Sequence, residues 1–270
     1  MTTTTHPVVF VVSTGRTGTT FLAQAASELG ADGCHEPGPW WLRHLSNAYA
    51  SGHLDHGRAL RILRKQRPVI GADRPYLEAS CLIYGLVAPL LDAFPEAQVV
   101  HVVRDPRTYV QSGLAWGAYR FGGRPLNLAP YRRLAPPQFT PADPAARLRW
   151  VADDQFDRLC WAWSAMNEAM RTQGAGHHRF RTVRFEDLTD GDRGPGVLED
   201  LGDDLGLDVP AQRLAELTGN PVNASGAVEP DDWRTWTDDR LHVLRERTAD
   251  EAAHYGYRVA AEVDEVLRAG

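Results

Sequence analysis

Apolar residues fall into two rhythms along this chain. Short unbroken runs at Val8–Ser13, Val69–Ala72, Val99–Val103 and Thr182–Phe185 predict strands. Apolar positions spaced three and four apart predict helices over Gly18–Leu29, Tyr76–Phe94, Pro106–Trp116, Ala145–Thr172, Val197–Leu205 and Asp239–Tyr255. Strand and helix patterns alternate. That order predicts an α/β fold: a mainly parallel central sheet flanked by helices in three layers. The longest helical pattern carries Trp150, Phe156, Leu159, Trp163 and Met166 at helical spacing, which reads as a buried stripe. No repeat and no linker divides the chain, so one domain is expected over residues 1–270.

Two segments break the rhythm. Residues 117–143 hold Pro125, Pro130, Pro136, Pro137 and Pro141 among aromatics and arginines. A stretch of this kind builds no core, and a long loop in a compact domain is commonly functional. It is predicted to be a lid or an acceptor-binding loop. Residues 219–236, rich in Gly, Asn and Pro, are predicted to pack over a ligand, with Trp233 and Trp236 as candidates to cover it.

Composition narrows the classes. The chain has 270 residues, 43% hydrophobic and 24% charged, which suits one large globular domain. Its net charge of −6 argues against broad nucleic-acid binding. An anionic ligand must then meet a local cluster of arginines. Cys34, Cys81 and Cys160 have no C-x-x-C spacing, which argues against a disulfide framework or a zinc site. No apolar run approaches the ~20 residues of a membrane span. Residues 1–6 lack a secretion signal, so a cytoplasmic location is expected.

The richest chemistry follows the first strand. Val8–Ser13 runs into Thr14-Gly15-Arg16-Thr17-Gly18-Thr19-Thr20, and a helical pattern begins at once. Strand, tight loop and helix make an anion cradle: loop N–H groups and the helix's unpaired donors converge at its positive dipole end. The loop is P-loop-like, with one difference. The nucleotide-triphosphatase pattern places Lys before its last Ser/Thr. Here Thr19 stands there, and the fixed cation is Arg16. No paired-carboxylate spacing of a magnesium site accompanies it, so no metal is expected.

A second signal is Val99–Val103 followed by Arg104-Asp105-Pro106. Pro106 suits the first turn of a helix, which puts Arg104 at a strand's carboxyl end and Ser112 nearly two turns on. Ligands of open α/β sheets bind at that edge. Together the two signals resemble the PAPS-dependent sulfotransferase family, of the carbohydrate and bacterial type. Gly15, Arg16, Thr17, Gly18, Thr19 and Thr20 match its 5′-phosphosulfate loop, and Arg104 with Ser112 its 3′-phosphate motif. Val183-Arg184-Phe185-Glu186-Asp187-Leu188 is similar to its late strand and turn, with Phe185 where Tyr is frequent. Gly71-Ala72-Asp73-Arg74-Pro75 is similar to its Gly-x-Lys-x-Pro strand end. The likeness spans residue 8 to about 236.

The resemblance implies transfer of a sulfuryl group from PAPS to a hydroxyl of a small-molecule, sugar or lipid acceptor, releasing PAP. Glu36, in Gly33-Cys34-His35-Glu36-Pro37, matches the Glu-Pro of these members and is implied as general base. His35 stands beside it as the alternative, with an intrinsic pKa nearer neutrality. Arg16 is implied to stabilise the leaving phosphate. Arg74 is a candidate to hold the moving sulfonate or an acidic acceptor; a salt bridge with Asp73 or Glu78 is the competing reading. Asn223, Ser225 and Gly226 are further candidates for the nucleotide. His101, inside an apolar strand, reads as a core residue. Two rival functions stay open: a P-loop kinase of a small metabolite, and a non-catalytic nucleotide-binding module.

Overall fold

The computed structural model describes residues 6–67, 70–120, 145, 150, 153–218 and 232–269. Its centre is a five-stranded, wholly parallel sheet in the order β2-β3-β1-β4-β5. The strands are β1 (Val8–Ser13), β2 (Asp32–His35), β3 (Tyr76–Ser80), β4 (Gln98–Val103) and β5 (Phe180–Arg184). β1 lies between β3 and β4, and all six of its residues are buried. That explains its unbroken apolar run, since a central parallel strand is covered on both faces.

The two faces are packed by different helices. Val8, Phe10 and Val12 of β1 meet Leu42 of α2 (Leu42–Ala50), Leu63 of α3 (His56–Gln66), Leu90 of α4 (Val87–Ala93) and Met166 of α6 (Gln155–Gly174). Val9 and Val11 face α1 (Thr19–Glu28) through Leu22 and Ala26. The same layer holds Leu201 of α8 (Gly194–Asp204) and Leu214 of α9 (Ala211–Thr218). The three predicted layers are therefore present. A further cluster joins α5 (Pro106–Trp116) and α6 to α10 (Asp238–Ala253) and α11 (Val259–Ala269). A short helix, α7 (Phe185–Thr189), follows β5 directly.

Two sequence expectations are corrected. The strand expected at Val69–Ala72 is a bend in its described part, residues 70–72. The third strand is Tyr76–Ser80, inside a stretch that reads as a helix. Leu77, Glu78 and Ala79 favour a helix by composition, but β1 and β2 on either side claim this segment for the sheet. The fully buried Glu78 is matched by Arg67, whose Nε donates to Glu78 Oε2 at 2.6 Å and whose Nη2 reaches Oε1. The helical part of that prediction survives only as α4 and a 3-10 turn at Tyr84–Leu86. Helix α6 begins at Gln155, where the Asp154 side chain accepts the Asp157 N–H at 2.8 Å.

His101 of β4 is a core residue. It is fully buried, and its Nε2 lies 2.9 Å from Asn167 Oδ1. Burial pushes its pKa down to about 4, from an ordinary 6.5, against an opposing hydrogen bond to the Asn167 amide oxygen. Above pH ~6.5 both folded and unfolded chains carry it neutral, and its stability contribution is complete. As pH falls towards 4, the unfolded chain takes a proton that the folded chain refuses, and stability is lost. The loss is predicted to reach about 3 kcal/mol. Urea unfolding against pH should show it as a steeper acid dependence in wild type than in His101→Gln.

Candidate functional site

The carboxyl ends of the five strands form one edge, and most of the predicted site residues gather there. β1 ends at Ser13, whose Oγ accepts the Gly15 N–H at 3.1 Å. Gly15, Arg16 and Gly18 then take positive φ values of 87°, 60° and 74°. Successive left-handed residues turn backbone N–H groups towards one concavity, a nest for an anion. Gly18 caps α1 with no side-chain partner, and the first turn of α1 holds no acidic residue. The amides at the start of α1 add their dipole to the same place.

The loop is tied to the second motif by two contacts. Arg16 Nε donates to Ser112 Oγ at 2.9 Å, and Arg104 Nη1 donates to the Arg16 carbonyl at 2.7 Å. A non-glycine residue with φ near 60° costs ~1–3 kcal/mol, and the Arg104 bond is one of the contacts that hold it. Arg104 Nε also donates to Thr108 Oγ1 at 2.9 Å, and its guanidinium lies 4.7 Å from the centre of the Phe185 ring. Phe185 meets the loop as well, since a Cβ at Gly18 would stand 3.1 Å from it.

Asp105 takes no part in this tie. It caps α5, accepts from the Arg107 backbone N–H and Nε at 2.8 Å each, and so turns to Arg107. Arg107 continues to Glu262 of α11 and stacks on Trp233. Glu186 fixes the same turn from α7: it accepts the Asp105 N–H at 3.0 Å and the Tyr257 hydroxyl at 2.5 Å.

Electrostatically the two arginines suit an anion. Burial lowers the Arg104 pKa, and the neighbouring Arg16 cation lowers it further, against Glu186. A negative group between them would relieve that repulsion. Thr17 Oγ1 in the same loop is buried with no hydrogen-bond partner among the described residues. Such an orphan costs free energy until something bonds to it. Among the described residues no group of His, Cys, Asp and Glu is arranged to hold a metal ion.

His35 and Glu36 reach the same edge from the end of β2. His35 Nε2 shares a hydrogen bond of 3.1 Å with Thr19 Oγ1 at the start of α1. Glu36 has a positive φ of 47°, and its N–H donates to the Ala79 carbonyl at 3.1 Å. Its Oε1 accepts a hydrogen bond of 2.8 Å from the Cys81 thiol, and Arg43 Nη2 donates to that sulfur at 2.9 Å. Cys81 and Arg43 escape a sequence reading, because they come from the turn after β3 and from α2 and share no local motif. Cys81 also closes on the loop: a Cβ at Gly15 would lie 3.4 Å from its Sγ.

Not every expectation reaches this edge. Arg74 is exposed in the bend before β3. That bend lies at the amino ends of the strands, where Tyr76 pairs with Val8 and Asp32. Arg74 is thus corrected to the edge opposite the loop; its supposed strand is a bend over the described residues 70–72. Glu78 is paired with Arg67, so it is no counter-ion for Arg74. Trp233 and Trp236 are buried anchors: the first packs on Arg107, the second edge-on to Phe156 at 4.8 Å between ring centres. Asn223, Ser225 and Gly226 lie outside the described residues, as do 121–143 of the expected lid and 219–231 of the expected covering loop.

Comparison with known proteins gives one family match and several structural likenesses. Residues 8–118 match the family model described as a sulfotransferase domain. The matched stretch holds the loop, Glu36, Arg104 and Ser112. No curated protein matched. Solved structures with similarity include the sulfotransferase domain from the curacin biosynthetic pathway (15% identity, 94% of this chain and 99% of that one, TM-score 0.48). A sulfotransferase from Alicyclobacillus acidocaldarius is similar at 18% identity, over 92% of this chain and 94% of its own, with a TM-score of 0.47. A mouse sulfotransferase complexed with PAP is similar at 12% identity, over 98% of this chain and 89% of its own, again with a TM-score of 0.47. No helix among the described residues is long and apolar enough to cross a membrane.

The packing of the loop on Phe185 has a measurable consequence. Gly18→Ala combines a left-handed backbone with crowding against Phe185, whereas Gly176→Ala (φ 71°) meets open space. Left-handed strain alone costs ~1–2 kcal/mol. Gly18→Ala is expected to lose more stability than Gly176→Ala in denaturant unfolding. Equal losses would contradict the contact between loop and ring.

Proposed function

We propose that this chain transfers the sulfuryl group of PAPS to a hydroxyl of a small-molecule, sugar or lipid acceptor, and releases PAP. One observation carries the reading: the Arg16 side chain meets Ser112 while Arg104 meets the Arg16 carbonyl, so the two anion motifs are one site. A nucleotide with phosphates at its 5′ and 3′ positions has the charges that such a site suits. The family match over residues 8–118 supports the same reaction class.

PAPS supplies the activated sulfuryl group; the rest falls to residues of this chain. The N–H groups of Gly15–Thr20 and the Arg16 guanidinium bind the 5′ end and neutralise charge that grows on the leaving phosphate. Thr17 Oγ1, buried and unpartnered among the described residues, is available to the same group. Arg104 and Ser112 bind the 3′-phosphate, which separates PAPS and PAP from ADP. Glu36 accepts the proton of the acceptor hydroxyl. Its backbone strain is of the kind that persists where a side chain must be aimed. His35, turned to Thr19, orients the loop hydroxyl instead. In-line transfer of this kind rests mainly on positioning and electrostatics.

Expected outcomes separate these roles. Glu36→Gln should lower turnover by ~10²–10⁴ and leave PAP affinity unchanged. Arg16→Ala should lower turnover by ~10²–10³. Arg104→Ala should weaken PAP about tenfold or more while barely affecting ADP, as expected when a charged hydrogen bond to the 3′-phosphate is lost. Labelled-PAPS turnover and calorimetric titration of both nucleotides check all three. A wild-type protein that binds PAP no better than ADP would overturn the reading.

A further inference from the structure

The Glu36 carboxylate sits in a short chain of groups that sequence motifs do not mark. Arg43 Nη2 donates to Cys81 Sγ at 2.9 Å, and the Cys81 thiol donates to Glu36 Oε1 at 2.8 Å. The three come from α2, the turn after β3, and the residue after β2. Cys81 also seats against Gly15, the first glycine of the anion loop, where a Cβ would lie 3.4 Å from its sulfur. A single buried thiol therefore bonds the carboxylate and a cation at once, beside the loop.

We propose that Cys81 and Arg43 are positioning residues that hold the Glu36 carboxylate at a fixed place beside the anion loop. The inference rests on Glu36 acting as the base. Glu36 leaves β2 with a positive φ, so its aim depends on what grips the carboxylate as well as on the backbone. The grip has a defined polarity. Arginine only donates, the sulfur accepts from it, and the one thiol hydrogen goes to the carboxylate. Hydrogen bonds linked in series strengthen one another in a low-dielectric setting.

The charged and titratable groups around the chain fit this role. Burial pushes the Cys81 thiol up to about 11, Arg43 pulls it back, and Glu36 raises it again, so the thiol keeps its proton near neutrality. Burial works against the Arg43 charge, and Cys81, Tyr119 and Glu36 more than offset it. Tyr119 approaches from the segment after α5, and its carbonyl accepts from Arg158 at 3.1 Å. His35, the other titratable group at the end of β2, is turned to Thr19. A protonated thiol at this place donates a hydrogen bond and does not act as a nucleophile.

The experiment uses the full chain with labelled PAPS, water serving as the acceptor. Cys81→Ala is expected to lower the hydrolysis rate about tenfold or more, towards the ~10² that a misplaced reacting group costs, with KM for PAPS and affinity for PAP unchanged. Cys81→Ser keeps a donor and an acceptor and should restore the rate to within about threefold of wild type. Arg43→Met should lower the rate in the same way, without a change in PAP affinity. Glu36→Gln separates the layers: wild-type hydrolysis in that variant removes the base assignment itself. Loss of hydrolysis in Glu36→Gln with a wild-type rate in Cys81→Ala overturns only the positioning role. Crystals give a readout that needs no turnover. The Glu36 carboxylate should occupy one place in wild type and Cys81→Ser and spread over several rotamers in Cys81→Ala; an identical ordered carboxylate in all three contradicts the proposal.

Discussion

The parallel pairing of β1 with β4 is the constraint on which the rest depends. Ser13 is aligned with Val102, so both strands end at the same edge within one residue of each other. The loop after β1 and the Arg104 turn after β4 are thereby brought together across more than eighty residues of sequence. Both strands are buried in the middle of the sheet, and their apolar runs leave little choice of register. Arg104 follows β4 directly and Arg16 lies in the loop that leaves β1, so core strands anchor both guanidinium groups of the candidate site.

The surrounding polar network serves this arrangement. Asp105 is engaged by Arg107, Glu186 and Tyr257 pin the Asp105 turn, and Phe185 lies against both Arg104 and the Gly18 turn. Asp105 thus pairs with Arg107, and Arg104 is turned to the loop. On the far side of β1, the turn after β3 brings Cys81 to both Gly15 and Glu36. The anion loop is flanked by a cationic side, from β4, and a carboxylate side, from β2.

Legibility in the sequence follows the strength of the local signal. β1, β4, α1 and α5 were readable because each has one strong signal: an unbroken apolar run, a glycine-hydroxyl loop, a proline at a first turn. β2 was not, since Asp32-Gly33-Cys34-His35 is a short edge strand with exposed ends. β3 was misread because Tyr76-Leu77-Glu78-Ala79-Ser80 has helical composition, and a buried Glu reads as solvent-facing until Arg67 is known to meet it. Arg74 reads as the end of a strand because the run before it is apolar, but residues 70–74 form a bend. Gly15–Thr20, Glu36, Arg104 and Ser112 could be singled out by motif, although no motif showed that Arg16 and Ser112 would touch. Cys81 and Arg43 have no sequence signal, because their meaning comes only from the fold that brings the turn after β3 and α2 beside Glu36.

The most direct measurement is a crystal structure of this chain with PAP bound. The account predicts the 5′-phosphate against the backbone of Gly15–Thr20 with the Arg16 side chain beside it, and the 3′-phosphate on Arg104 and Ser112, a few ångströms away. A nucleotide held by only one of these groups, with the other guanidinium turned to solvent or to a different ligand, would contradict it.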